Sequence, residues 1–194
     1  MGVESTEIRT FVAIEIPSEV KAFLSDMSRR LKGFGGDVRW TRPEGIHITL
    51  KFLGNIKPDL VGDIRDALSP ICARQLPFAL SVRGTGGFPD MRRPRVLWAG
   101  LNDPDQALVP LAAQVDTALE PLGFTREKRP FNPHLTLARF RSLKRSSDLL
   151  QAVTRMASIE GPAFTAHEAI LFQSILKPTG AEYTALCRLP FVPK

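Results

Sequence analysis

The stretch Arg42-Pro43-Glu44-Gly45-Ile46-His47-Ile48-Thr49-Leu50 returns, at a constant offset of 87 residues (47 to 134), as Arg129-Pro130-Phe131-Asn132-Pro133-His134-Leu135-Thr136-Leu137. Arg, Pro, His, Thr and the final Leu are identical, and Ile48 and Leu135 are both apolar. The chain holds three histidines, and two of them fall in this one frame. A repeat of this length constrains the fold more than any local propensity. Each copy is small for a stable core, so the two copies must bury their apolar faces together in one globule.

The repeat extends outward from the motif. Phe11 to Ile16 reads as a strand, and Pro17-Ser18 ends it. Val20, Phe23, Leu24, Met27 and Leu31 then recur at helical spacing over 19–31. In the second copy, Arg95 to Leu101 reads as a strand and Asp103-Pro104 supplies an N-cap and a first-turn proline. Leu108, Leu111, Ala112, Val115 and Leu119 carry the helix that follows. Each His-x-Thr segment comes next, as a strand. Further helices are expected near 58–73 and 146–157, and further strands near 78–83, 163–172 and 183–189. The inferred unit is β-α-β-β-α-β, used twice, over pseudo-repeats of roughly 8–86 and 94–190 within a single domain of residues 1–194. Strands mixed with a few helices predict an α+β fold with mainly antiparallel sheets. Two pseudo-symmetric halves then face a central cleft. The break between them is placed in Gly84–Asp90 through Pro94, with Gly84–Gly87 read as a turn; it lacks the Lys-Ser/Thr of a P-loop.

On a strand, residues i and i+2 share a face. His47 and Thr49 therefore point one way, and Ile48, Leu50 and Phe52 the other. His134 and Thr136 repeat the pattern. A pseudo-twofold relation would bring two imidazoles and two hydroxyls into one cleft. That inventory suits phosphate-ester chemistry: one imidazole acts as base and the other, as imidazolium, as acid. The hydroxyls donate to phosphate oxygens as charge builds on them. No metal and no cofactor is required. The motif is His-x-Thr rather than His-x-His, with no carboxylate beside it, so metal ligation is not indicated.

Charge fits an anionic partner. Lys and Arg number 26 against 20 Asp and Glu, a net charge of +6 and a pI near 9.7. The basic residues cluster at Arg92, Arg93 and Arg95, at Arg126, Lys128 and Arg129, and at Arg139, Arg141, Lys144 and Arg145; any one cluster alone reads as a solvated face. With 43% hydrophobic and 24% charged residues, disorder is excluded. No apolar run approaches a membrane span, so no membrane association is expected. Met1 to Thr6 fits a loose myristoylation pattern, set against a frayed tail. Cys72 and Cys187 stand in no Cys-x-x-Cys pattern and read as small apolar residues in a reducing compartment. His167, beside Glu168, reads as a surface residue. Trp40 is a core aromatic first and a base-stacking platform second. Cytoplasmic location and a monomeric state follow as expectations.

With these residues in view, the sequence resembles the 2H phosphoesterase superfamily, and within it the RNA 2′,3′-cyclic phosphodiesterase (2′–5′ RNA ligase) family. The resemblance rests on His47-Ile48-Thr49-Leu50-Lys51-Phe52-Leu53-Gly54 and Pro133-His134-Leu135-Thr136-Leu137-Ala138-Arg139. It is supported by Arg9 to Ile14, Gly87-Phe88-Pro89, Pro94 to Trp98, Ser174-Ile175-Leu176 and Tyr183, and it covers essentially the whole chain. It implies hydrolysis of RNA 2′,3′-cyclic phosphate ends to 2′-phosphates without metal, and the reverse 2′–5′ ligation. It further implies that His47 is the proton donor, that His134 is the proton acceptor, and that Thr49, Thr136 and Arg139 bind phosphate. The pattern itself does not tell donor from acceptor. Strict alternation also places Arg139 on the face opposite His134, so a bulge, a strand end or a long side chain must bring it round. Phe52 occupies the corresponding place in the first motif. Two other classes of function remain open on the residues alone: a non-catalytic RNA-binding module, and a cyclic phosphodiesterase for small nucleotides such as an ADP-ribose cyclic phosphate.

Overall fold

The computed structural model describes residues 7–178 and 180–192. The elements run in chain order as strand β1 (Ile8–Glu15), helix α1 (Ser18–Lys32), β2 (Asp37–Trp40), β3 (His47–Ile56), α2 (Leu60–Cys72) and β4 (Phe78–Phe88). The second half follows with β5 (Val96–Asn102), α3 (Leu108–Leu119), β6 (His134–Ser142), α4 (Ser147–Arg155), β7 (Glu160–Ala166), β8 (Glu168–Lys177) and β9 (Gly180–Pro190). The fold is α+β, and every recorded strand pairing is antiparallel. The myristoylation pattern at the start of the chain lies outside the described residues.

The strands form a nine-stranded sheet in the order β7-β4-β5-β6-β3-β1-β8-β9, with β2 alongside β6. One link in that order is weak. Strands β3 and β6 share one recorded residue pair, Ile48 with Leu135. The sheet therefore divides into two lobes, β3-β1-β8-β9 and β7-β4-β5-β6, joined at the centres of the two repeated motifs. Each lobe draws strands from both halves of the chain. Strand β4, from the first half, lies in the second lobe, and β8 and β9 return to the first. This interlacing makes the two halves fold as one body. Ile48 and Leu135 are both fully buried within one continuous hydrophobic core.

Local chemistry explains the elements. Helix α1 buries Val20, Leu24, Met27 and Leu31 on one stripe, with Glu19 in its first turn and Arg29, Arg30 and Lys32 in its last, matching the helix dipole. Strand β1 is buried on both faces from Thr10 to Ile14. Val12 and Ile14 enter the main core, and Phe11 and Ala13 join a second cluster with Ile170 and Phe172. Helix α3 starts at Leu108, later than the Asp103-Pro104 signal suggests. Asp103 and Pro104 instead form a turn, and the Asp103 carboxylate reaches forward to accept from the amides of Ala107 (3.1 Å) and Leu108 (2.8 Å).

Three expectations need correction. The second half does not repeat β-α-β-β-α-β: it runs β-α-β-α-β-β-β, because among the described residues no strand stands between α3 and β6 to match β2, and β8 and β9 are added where they return to the first lobe. Gly84–Gly87 is not a turn; it lies inside β4. The reason is steric. A Cβ on Gly86 would stand 2.4 Å from the Trp98 indole, and one on Gly87 would stand 2.8 Å from Pro94. The glycines thus let the sheet accept Trp98 from β5, and the loop between the halves begins after Phe88. The strand expected over 163–172 is two strands, β7 and β8, which meet at the exposed His167.

Candidate active site

A groove of about 480 Å³ crosses the join between the two lobes. His47, Thr49, His134, Thr136 and Arg139 all line it. The register explains the convergence. Antiparallel pairing of Ile48 with Leu135 sets His47 across from Thr136 and Thr49 across from His134. The apolar central residues point into the core, so the four polar ones point together the other way. The two histidines are then diagonal across the join, on one groove, and near enough that the charge of His134 lowers the proton affinity of His47.

Arg139 reaches the groove through a β-bulge. Along β6 the pairing with β5 runs Trp98 with Thr136 and then Leu97 with Ala138, so Leu137 is the extra residue. Leu137 and Ala138 are consecutive and both buried. The bulge resets the alternation, and Arg139 emerges on the His134 face. The first motif carries the same device at the same offset. The β1–β3 pairing skips Leu50 between Thr49 and Lys51, and both Leu50 and Lys51 are buried. The position equivalent to Arg139 is Phe52, which also lines the groove. At this one position the cleft carries a guanidinium from the second motif and an aromatic ring from the first.

Each imidazole is held from behind. His134 places Nδ1 2.8 Å from the carbonyl of Asn132, two residues earlier, which accepts from the ring N–H and leaves Nε2 as the second ring nitrogen for chemistry. His47 has the matching contact with the carbonyl of Gly45. The aromatic surroundings differ. His47 stacks on Phe11 with centroids 4.6 Å apart and meets Tyr183 edge-on at 5.1 Å. His134 meets Phe88 edge-on at 4.9 Å. Burial pushes both imidazoles below the usual histidine range, and pushes His47 down to about 4. The Gly45 and Asn132 carbonyls partly offset this, and the Arg139 charge adds to it. Without an anion in the cleft, both rings are neutral at neutral pH.

Lys51 belongs to the family resemblance yet faces away from the groove. It is buried, forms an ion pair with Asp116 of α3, and donates to the Thr125 carbonyl at 2.8 Å. Its work is structural. Trp40 is half-buried: it packs against the core on one side and lines the groove on the other, with Lys32 5.8 Å from its ring centre. His167 does not line the groove. Of the sequence's basic clusters, Arg139 alone lines it. Arg9, Arg39 and Arg42 line it as well and stand in none of those clusters. Arg42 had a signal, its place in the repeat opposite Arg129. Arg39 had none, because its position depends on β2 pairing with a strand about a hundred residues away. Among the described residues no group of three or more His, Cys, Asp or Glu side chains is placed to hold a metal. No described helix is long and apolar enough to cross a membrane.

Two successive stretches, residues 14–98 and 100–183, each match the LigT-like phosphoesterase family. The chain belongs to that family. This phosphoesterase is 32% identical over 179 residues to an RNA 2′,3′-cyclic phosphodiesterase of Archaeoglobus fulgidus, covering 92% of this chain and 98% of the relative. It is 29% identical over 178 residues to one of Methanothermobacter thermautotrophicus, covering 92% and 96%. The crystal structure of TT0787 from Thermus thermophilus superposes with a TM-score of 0.79 at 28% identity, over 95% of this chain and 98% of that one. That of Escherichia coli LigT complexed with 3′-AMP gives 0.77 at 25% identity, over 96% and 99%.

Proposed function

We propose that this phosphoesterase hydrolyses RNA 2′,3′-cyclic phosphate ends to 2′-phosphates, with His47 as proton donor and His134 as proton acceptor. The observation that carries this reading is the convergence of both His-x-Thr motifs on one groove beside Arg139. His134 Nε2 takes a proton from water as the water oxygen attacks phosphorus. The P–O3′ bond breaks on the far side, and His47 gives its proton to the leaving O3′. Phosphate stays on O2′. Thr49, Thr136 and the Arg139 guanidinium donate to the non-bridging oxygens, where negative charge concentrates in the transition state.

The donor and acceptor roles are taken from the family resemblance: burial makes His47 hold its proton less firmly than His134, which makes its imidazolium the stronger acid but leaves it the more often neutral ring in the free protein. The anionic substrate raises the proton affinity of both rings and brings the acid into its charged form. Run backwards, with an RNA 5′-hydroxyl in place of water, the same transfers make a 2′–5′ linkage. None of these steps calls for a metal.

The test is incubation of an RNA ending in a 2′,3′-cyclic phosphate with the protein in excess EDTA, followed by identification of the phosphomonoester. A 2′-phosphate is expected. A 3′-phosphate would reverse the leaving group, and loss of all turnover in EDTA would remove the metal-free scheme.

A further inference from the structure

The groove holds more positive charge than the transfer at one phosphorus uses. Arg9, Arg39, Arg42 and Arg139 line it, with no Asp or Glu among the lining residues. Among the described residues, none of the four groove arginines forms an ion pair with a carboxylate. Two of them are direct cross-strand partners: Arg39 on β2 pairs with Arg139 on β6. Like charges placed opposite each other destabilise a sheet. A bound anion between or beside them removes that cost.

Arg139 is occupied by the reacting phosphate. Arg39 stands one strand further out, about 4.8 Å away across the sheet. Arg42 follows it in the chain and packs against the β8–β9 connection, its Nε 3.5 Å from the Cβ position of Gly180. An RNA strand carries one phosphate per nucleotide, so a terminal nucleotide seated at the histidines has its next phosphate within reach of this pair. We propose that Arg39, backed by Arg42, forms a second phosphate subsite for the phosphodiester on the 5′ side of the terminal nucleotide. The cleft then selects polynucleotide ends over free cyclic mononucleotides. This rests on the cyclic-phosphate reading above and extends it.

The test compares a nucleoside 2′,3′-cyclic phosphate, the same compound carrying a 5′-phosphate, and the corresponding dinucleotide. The 5′-phosphate alone raises kcat/KM in the wild-type protein, and R39Q removes at least about fivefold of that gain, with R39K retaining part of it. For the dinucleotide, R39Q also lowers the slope of log affinity against log salt by about 0.7, the loss of one single-strand phosphate contact. No gain from the 5′-phosphate, or a gain that R39Q keeps in full, overturns the subsite. A gain that appears only with the second nucleoside assigns the preference to stacking and overturns it too. Binding of the unreactive nucleoside 2′-phosphate, with and without a 5′-phosphate, keeps the two readings apart. If the wild-type protein turns over none of the substrates, the catalytic reading fails. The subsite then stands or falls on whether R39Q weakens the 5′-phosphorylated ligand selectively.

Discussion

Phe11 lies against the face of His47, ring centroids 4.6 Å apart, whereas His134 meets its aromatic neighbour Phe88 edge-on. Two histidines that are equivalent in the sequence repeat are therefore unequal in the folded protein. Phe11 belongs to a small cluster with Ala13, Ile170 and Phe172, and Tyr183 closes it over His47. The cluster excludes water from one imidazole more than from the other.

The pH dependence of kcat/KM reads this directly, because it reports the free enzyme. Burial depresses both rings, so the bell-shaped profile has its optimum below the ordinary histidine pKa of about 6.5. The kcat profile, which reports the substrate complex, lies at higher pH. F11A opens the ring to water and moves the lower limb of the kcat/KM profile upward; F11L, which keeps apolar cover, moves it less. An F11A profile that coincides with wild type would break the link between the aromatic cluster and proton affinity.

Stability follows the same group by linkage. His47 is pushed down to about 4 when folded, against 6.5 unfolded. Between those values the unfolded chain binds the extra proton, so stability is complete above pH about 6.5 and is lost as pH falls toward 4. The full loss is on the order of 3 kcal/mol. Urea unfolding of wild type and H47Q at pH 7 and pH 5 checks it: the variant loses less stability on acidification.

The threonines are predicted to act on the transition state. T49V and T136V keep the shape and remove one donor each, which costs about ten- to a hundredfold in kcat/KM, the scale of a hydrogen bond to a charged oxygen. Steady-state kinetics on a cyclic-ended oligonucleotide measures it, with thermal unfolding as the control for fold.

Lys51 is predicted to matter for stability. Its buried ammonium pairs with Asp116, which also accepts from the Glu127 amide at 3.1 Å. This ties β3 to α3 and to the segment that leads into the second motif. K51M removes the buried partner of the Asp116 carboxylate, which keeps Arg126 at 3.8 Å and the Glu127 amide, and costs about 1–3 kcal/mol. The double variant K51M/D116L loses less than the two single losses combined. Equilibrium unfolding in urea gives all three values.

These relations differ in how visible they are in a sequence. The repeat, the two histidines and the strand faces around them follow from period-two alternation and a fixed offset, and the helices 18–32 and 108–119 follow from apolar spacing. Arg139 defeats alternation, because Leu137 is squeezed out of register by pairing with β5. Gly84–Gly87 reads as a turn by composition, yet the run serves the Trp98 indole from another strand. Arg39 becomes a groove residue through its pairing with β6. In each case the deciding partner lies far away in sequence, and local chemistry carries no record of it.

The central claim is that both imidazoles act on one phosphorus. Single-turnover rates of H47A and H134A on an RNA ending in a 2′,3′-cyclic phosphate test it most directly. Each variant is expected to be slower than wild type by at least about 10²-fold, the scale of proton transfer by a positioned group. Near-normal turnover by either one would contradict the account.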